Sequence, residues 1–193
     1  MRDEIKTKRL ILRQLTLDDA TAFARLAGDY DISRMTGSFP HPFPLLSAEF
    51  KIMDLKQKKR RALAFPYAIT INGGELMGMA DIFRREADAA LELGYWLGKP
   101  YWKNGYATEA SMAVINESRK TLGAKSLIAG VFSDNSASIR VLQKLGFEFT
   151  GKSGMYFSMG RLEKAHSLDL RLDFKTSTPF NPLQDIQKTA MRA

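Results

Sequence analysis

One stretch of the chain combines residue types that bind phosphate. An apolar run, Leu91 to Leu97, leads into the glycine- and proline-containing segment Gly98-Lys99-Pro100-Tyr101-Trp102-Lys103-Asn104-Gly105. A helix-forming stretch, Ala107 to Leu122, follows it. A strand, a tight loop and a helix in this order direct several main-chain N–H groups, and the positive end of the helix dipole, to one place. Such a place binds anions, and phosphates in particular, although many similar loops bind nothing.

The composition excludes several other kinds of site. The chain has no cysteine, which removes disulfides, thiolate metal ligands and a cysteine nucleophile. Its two histidines, His41 and His166, are too few for a histidine metal centre, so no metal is expected. No apolar stretch reaches the roughly 18 residues of a membrane-spanning helix, and the charged N-terminus lacks a signal-peptide core. We therefore expect a cytoplasmic protein that does not enter a membrane.

Size and charge predict one domain with a basic surface. The chain has 193 residues, 45% of them hydrophobic and 26% charged, and we expect one globular domain, residues 1–175, followed by a loosely ordered tail, residues 176–193. The net charge of +8 favours nucleic acid, an acidic protein or a phosphate-rich cofactor as partner. The densest basic run, residues 56–61, is interpreted first as the solvated end of a helix and second as a nucleic-acid patch.

Apolar periodicity, caps and turns predict the elements that position the loop. Their order is β-α-α-β-β-β-α-β-α-β-β, which indicates an α/β (α+β) fold with helices on both faces of a mixed, mostly antiparallel sheet of six to seven strands. The helix after strand 91–97 makes the next strand, 126–132, parallel to it through a right-handed crossover. Asn135 is expected to cap the helix that follows.

Three motifs in this order resemble the GNAT family of acyl-CoA-dependent N-acyltransferases. Gly94-Tyr95-Trp96 together with Gly105-Tyr106-Ala107-Thr108-Glu109-Ala110 is similar to the first family signature, and the stretch from Asn135 to Phe147 is similar to the second. Arg9-Leu10-Ile11-Leu12-Arg13 is similar to the start of the RimJ/RimL-like branch, which acetylates ribosomal-protein N-termini. The resemblance covers residues 5–175 and implies a GNAT-like fold, N-acetyltransferase activity and acetyl-CoA as co-substrate.

The resemblance also implies where acetyl-CoA binds. The pyrophosphate would lie on the loop, and the pantetheine arm would pair with a free strand edge where the two central parallel strands splay apart. The implied cofactor-binding residues are Leu97, Trp102, Lys103, Asn104, Gly105, Tyr106, Ala107, Thr108, Asn135, Ser138 and Arg140. Lys103 replaces the glycine that is usual in this branch. If its φ is positive, lysine costs about 1 kcal/mol, which a contact with phosphate would offset.

Transfer to an amine requires a base, and the expected catalytic residues are Glu92, Ser138 and Asn135. At neutral pH an α-amine is deprotonated at a cost of about 1 kcal/mol, whereas a lysine amine costs about 4–5 kcal/mol. Strand alternation places Glu92 opposite Leu91 and Leu93, facing the predicted cleft, so Glu92 is the candidate base. An exposed strand glutamate is the alternative, and Asp81 is a weaker candidate for the base.

The acid that protonates the departing thiolate is less evident. Leu142 occupies the position at which many GNAT enzymes have a tyrosine. Ser138 or a nearby tyrosine would take this role, although a thiolate of pKa about 8.5 also leaves without help. The candidate tyrosines are Tyr95, Tyr106 and Tyr156. Without a cysteine to carry the acetyl group, transfer should be direct, in a ternary complex.

The acceptor is expected to be a protein N-terminal α-amine or a small-molecule amine. The proline-rich segment 38–46, with His41, is expected to wall the acceptor site, whereas Phe39 and Phe43 suit the core or a homodimer contact equally well. The alternatives are a CoA-binding protein of this fold with little turnover and a basic nucleic-acid-binding module. Only the net charge favours the nucleic-acid-binding module.

Overall fold

The computed structural model describes residues 1–174, so the predicted tail, residues 176–193, lies outside the described residues. The strands are β1 (Glu4–Lys6), β2 (Ile11–Arg13), β3 (Ala64–Thr70), β4 (Gly78–Arg84), β5 (Leu91–Leu97), β6 (Ser126–Phe132), β7 (Glu148–Ser158) and β8 (Glu163–Asp173). The helices are α1 (Ala20–Ala27), α2 (Tyr30–Ser33), α3 (Leu45–Arg60), α4 (Tyr106–Leu122) and α5 (Ser136–Lys144).

The described strands form one eight-stranded sheet in the order β1-β2-β3-β4-β5-β6-β8-β7. Every pair of neighbours is antiparallel except β5 and β6, which confirms the predicted mixed, mostly antiparallel sheet. The sheet has one strand more than the upper count expected from the sequence. The additional strand is β1, which is only three residues long and buries a single side chain, Ile5, so it carries almost no periodic signal.

Two hydrophobic cores cover the two faces of the sheet. On one face α4 and α5 bury Val114, Ile115 and Leu142 against the strands. On the other face α1 and α3 form a second core, which also contains Phe39 and Phe43. Both phenylalanine rings lie within 5.7 Å of the Phe23 ring, centroid to centroid. Phe39 and Phe43 are therefore core residues.

The basic run forms the C-terminal end of α3, as expected. Lys58 and Lys59 lie in the last helical turn, where cations are favoured by the helix dipole. Lys58 pairs with Asp54 and Lys59 with Asp3, each at 3.0 Å. Within residues 1–174, no helix has both the length and the apolar composition to cross a membrane.

The parallel strands β5 and β6 separate soon after they meet. Each has seven residues, yet they pair only at Glu92 and Ile128. The N–H of Gly98 donates to the carbonyl of Met77 next to β4, and strand alternation then turns the main-chain groups of Leu93, Tyr95 and Leu97 toward β6. Within residues 1–174, the carbonyl of Leu93, both groups of Tyr95 and the N–H of Leu97 lie beyond this single pair, on an edge without a strand partner. The predicted splay is therefore present, and it opens toward the loop that follows β5.

Candidate active site

The loop between β5 and α4 presents a row of main-chain donors. Lys103 and Gly105 both have positive φ, 63° and 77°, and α4 starts at Tyr106. Within residues 1–174, none of the N–H groups of residues 103–108 donates a hydrogen bond to another protein group. These donors coincide with the positive end of a 17-residue helix. The arrangement can bind a phosphate or diphosphate without further change.

Trp102 connects this loop to the free edge of β5. Its indole Nε1 donates to the carbonyl of Leu97 at 2.6 Å, and the side chain is 41% exposed. Leu97 is the last residue of β5, so this hydrogen bond occupies the carbonyl of the edge that lies nearest to the loop. The carbonyl of Leu93, both main-chain groups of Tyr95 and the N–H of Leu97 face the gap between the strands and can pair with an extended ligand.

Lys103 has the left-handed conformation that favours glycine. We predict that Lys103→Gly raises the free energy of unfolding by about 0.5–1 kcal/mol, because it removes the steric cost of a side chain at positive φ. The same change should weaken acetyl-CoA binding about two- to threefold, because a cation near the phosphates is lost. Urea unfolding and calorimetric titration measure the two effects.

Lys103→Ala is the control, because it removes the charge and keeps the Cβ. It should weaken binding as Lys103→Gly does, without the gain in stability. Equal stability of the glycine variant and the wild type would contradict the strain argument.

The cap of α5 lies where β6 ends, beside the gap. Asn135 caps the helix by accepting the N–H of Ser138 on its side-chain oxygen at 3.0 Å. The amide NH2 of the same side chain has no partner within residues 1–174 and can donate to a ligand. Arg140 is exposed on the next turn of α5. The predicted helix cap is therefore present, and the side-chain NH2 of Asn135 remains available to donate to a ligand.

A tyrosine reaches from β5 to α5. The Tyr95 hydroxyl lies 2.8 Å from the Ser138 hydroxyl oxygen and 3.1 Å from the Ser138 carbonyl oxygen. Burial raises the pKa of Tyr95, so the phenol keeps its proton at neutral pH. Of the other candidate acids, Tyr106 lies under the Arg9 guanidinium and Tyr156 is 52% exposed on β7. Tyr95 and Ser138 are thus the two hydroxyl groups that the fold brings together at the gap.

Glu92 lies at the point where β5 and β6 part. Its Oε1 accepts the N–H of Gly130 from β6 at 3.3 Å, in place of a strand-to-strand bond. Burial raises the pKa of Glu92, and the hydrogen bond from Gly130 opposes part of this rise. Gly94 and Gly130 present no side chains here: a Cβ on Gly130 would lie 3.5 Å from Glu92 Oε1, and one on Gly94 only 2.5 Å from Asp81 Oδ1.

Asp81, the second carboxyl on this face, lies beside Gly94 in the neighbouring strand. It is 6% exposed and has no hydrogen bond or ion pair within residues 1–174. Burial raises its pKa to about 7, against the charge of Lys51 and with the added effect of Glu92. Two carboxyl groups with raised pKa values therefore lie on one face, separated by a glycine.

The buried carboxyl should make stability depend on pH. Between pH 4 and 7 the folded protein holds the Asp81 proton more tightly than the unfolded chain, so the free energy of unfolding falls as pH rises through this window. Asp81→Asn removes the ionisable group and should be about 1–3 kcal/mol more stable than the wild type at pH 8. Urea unfolding at pH 5 and pH 8 should show a smaller difference at pH 5. A pH-independent difference would contradict ionisation of Asp81.

The proline-rich segment 38–46 provides few polar side chains to this face. His41 is exposed, and its Nδ1 lies 3.0 Å from the carbonyl oxygen of Gly28. Because Phe39 and Phe43 belong to the core, the expected acceptor wall is reduced to the exposed parts of the segment. In the described residues, no group of three or more His, Asp or Glu side chains is placed to hold a metal ion.

Comparison with known proteins identifies the family of this chain. Residues 9–148 match the acetyltransferase (GNAT) domain family. The uncharacterized N-acetyltransferase YoaA of Bacillus subtilis is 28% identical over 157 residues, 79% of this chain and 86% of YoaA. Among solved structures, Mycobacterium smegmatis RimJ in complex with CoA-disulfide has a TM-score of 0.77 at 19% identity, covering 94% of this chain and 89% of RimJ.

A second solved structure leads to the same fold. The ribosomal-protein-S5-alanine acetyltransferase of Vibrio fischeri has a TM-score of 0.74 at 18% identity, with 91% of this chain and 99% of that chain covered. At these identities the likeness of the two structures shows the fold, whereas the family match covers most of the sequence and includes both signatures. This chain is a member of the GNAT acetyltransferase family.

Proposed function

We propose that this protein transfers an acetyl group from acetyl-CoA directly to a primary amine, either a protein N-terminal α-amine or a small-molecule amine. The parting of β5 and β6 beside an unused row of N–H groups is the observation on which the proposal depends. One surface thus offers an extended edge and a diphosphate site next to each other. Acetyl-CoA has the matching parts, an amide-bearing arm and a pyrophosphate.

The loop and the first turn of α4 would hold the pyrophosphate. The donors are the N–H groups of residues 103–108, and the ammonium of Lys103 adds a positive charge. Arg140, which is exposed on α5, would contribute a second cation. The arm would pair with the β5 edge, and the N–H of Leu97 would stabilise the oxyanion that forms when the amine attacks.

Glu92 would take the proton of the attacking amine. The carboxylate is ionised in its reactive form, and its raised pKa brings it closer to that of an α-amine, which improves proton transfer. An α-amine needs only about 1 kcal/mol for deprotonation at neutral pH, against about 4–5 kcal/mol for lysine, so one moderate base suffices for an N-terminus. The bond from Gly130 fixes the carboxylate at the gap.

Ser138 would relay a proton to the thiolate of CoA: its hydroxyl proton passes to sulfur while the phenol of Tyr95 replaces it, and the phenolate then regains a proton from water. The serine hydroxyl can donate to sulfur when the phenol of Tyr95 donates to the serine oxygen in turn. The free NH2 of Asn135 would bind the arm or the incoming amine.

Carboxyl groups at the gap and the basic charge of the whole chain both bear on the acceptor. The overall charge of +8 suits an acidic protein as acceptor. On the face around the gap, the carboxyl groups of Glu92, Asp81 and Asp169 lie beside the cations Arg85 and Lys51. The N-terminal ammonium of an otherwise acidic protein could pair with a carboxyl group at the gap while the rest of that protein contacts the basic surface.

Release of free thiol from acetyl-CoA, followed with a panel of amines, tests this function. Peptides with a free α-amine should give turnover, whereas the same peptides with a blocked α-amine and a free lysine should give little. Mass spectrometry of lysate incubated with labelled acetyl-CoA would identify protein acceptors. Acetyl-CoA binding without thiol release for any amine would support the CoA-binding alternative, and absence of acetyl-CoA binding would overturn the proposal.

A further inference from the structure

Arg9, which lies just before β2, contacts the phosphate loop, residues 98–105 between β5 and α4, from outside the sheet. Its Nη1 donates to the carbonyl of Asn104 at 2.9 Å, and its guanidinium lies 4.6 Å from the centroid of the Tyr106 ring. Its Nη2 is 3.5 Å from the position that a Cβ on Gly105 would occupy. One side chain therefore touches three consecutive residues of the loop.

The same arginine is held firmly by α4. Glu109 accepts the main-chain N–H of Arg9 at 2.9 Å and its Nε at 2.7 Å, and it also accepts the Thr7 hydroxyl at 2.6 Å. Burial alone would raise the pKa of Glu109, but these hydrogen bonds outweigh it, and the pKa is lowered. The carboxylate is therefore ionised and fixes the guanidinium plane, because Nε and Nη1 belong to one rigid fork.

The bond to Asn104 determines which way the loop's donors point. In a trans peptide, the carbonyl of Asn104 and the N–H of Gly105 point in opposite directions. When Arg9 holds the carbonyl, the Gly105 N–H is directed away from Arg9, to the open side of the loop. A reversed peptide would instead present a carbonyl oxygen to a bound phosphate, which repels it.

We infer that Arg9 is a positioning residue that keeps the phosphate loop in its anion-binding shape, and that it acts through the Asn104 carbonyl, the Tyr106 ring and Glu109. The loop needs such support, because Lys103 and Gly105 both have positive φ and the N–H groups of residues 103–108 have no partner among residues 1–174. This inference rests on the proposed function only in taking acetyl-CoA as the anion.

The chain contains a matched control. Arg2 contacts Glu117 as Arg9 contacts Glu109: its main-chain N–H, its Nε and its Nη2 all donate to that carboxylate. Glu117 also belongs to α4, but it lies far from the loop, near the other end of the helix. Arg2→Ala therefore removes the same kind of ion pair without touching the loop.

The experiment compares two ligands in the full-length protein by calorimetric titration. Acetyl-CoA carries the pyrophosphate, and S-acetylpantetheine has the same acetylated arm without it. We expect Arg9→Ala to weaken acetyl-CoA binding about tenfold and S-acetylpantetheine binding less than about twofold. Arg2→Ala should leave both unchanged. The acetyl-CoA affinity of Arg9→Lys should lie between those of the wild type and Arg9→Ala, because lysine keeps the charge and loses the planar fork.

Steady-state kinetics test the same variants independently. Arg9→Ala should raise KM for acetyl-CoA about tenfold and leave kcat at saturating acetyl-CoA within about twofold, because the reacting groups are untouched. Acetyl-CoA binding by Arg9→Ala at wild-type strength would overturn the inference, and so would equal loss for both ligands. A wild-type protein that does not bind acetyl-CoA would instead overturn the proposed function.

Discussion

Glu92→Gln is expected to lower kcat about 100-fold while acetyl-CoA affinity stays within about twofold of wild type. Glutamine keeps an Oε1 that can accept the N–H of Gly130, so the junction of β5 and β6 should retain its geometry. It cannot accept the proton of the amine. Steady-state kinetics with a peptide acceptor, combined with calorimetric titration of acetyl-CoA, measures both quantities.

The pH dependence gives a second reading of Glu92. The base is active when ionised, so kcat/KM of the wild type should rise with pH through the pKa of Glu92, which burial places above the ordinary glutamate value. This limb should disappear in Glu92→Gln. Unchanged turnover in the variant would remove Glu92 from the mechanism.

Asp169→Asn is the matched control for Glu92→Gln. Asp169 lies on β8 directly beside Gly130 and pairs with Arg85 at 3.6 Å, so it carries negative charge on the same face without bridging the two strands. Its replacement should change kcat less than about threefold. The half-buried ion pair with Arg85 contributes little to stability, and Asp169 touches no reacting atom. A loss as large as that of Glu92→Gln would mean that general negative charge, rather than the base, is required.

Ser138→Ala is expected to lower kcat about 10- to 100-fold, because the departing thiolate loses its proton donor. The cap of α5 uses the main-chain N–H of Ser138, so alanine should keep the bond to Asn135 and the helix. The loss should become smaller above about pH 8.5, where the thiolate is stable without a proton. Thiol release at several pH values, with acetyl-CoA saturating, measures this effect.

Two further variants separate chemistry from structure at α5. Tyr95→Phe keeps the serine hydroxyl but removes its partner 2.8 Å away, so its loss of kcat should be smaller than that of Ser138→Ala. Ser136→Ala changes an exposed serine in the same turn and should leave kcat unchanged. Equal activity of Ser138→Ala and wild type would mean that the thiolate leaves unassisted.

Much of the fold follows from signals that lie close together in the sequence. The bounds of β5 and β6 agree with the predicted strands, because each is an apolar run between turn residues. The strained loop was also foreseeable: the motif places Lys103 where glycine is usual, and its φ is positive. The apolar pattern predicts an antiparallel pair of strands at residues 147–149 and 166–174, whereas β7 extends to Ser158, because it is an exposed edge strand without apolar alternation.

The tertiary structure decided which distant groups meet. The Glu92–Gly130 bond joins residues 38 apart in sequence, the Tyr95–Ser138 contact 43 apart, and the Arg9–Asn104 bond 95 apart. Such contacts depend on strand order, register and the point at which two strands separate, and no local pattern records these. No role could be predicted for Arg9 from its motif, because the loop that it contacts lies 95 residues further along the chain.

The sequence by itself therefore determined the order of the elements other than β1 and α2, the glycine-containing turn before α4 and the family. The three-dimensional fold determined that Glu92 lies at the strand junction, that Ser138 has a tyrosine partner and that an N-terminal arginine contacts the loop. The physical reason is that periodicity and caps act over a few residues, whereas a site is assembled by packing across the whole chain.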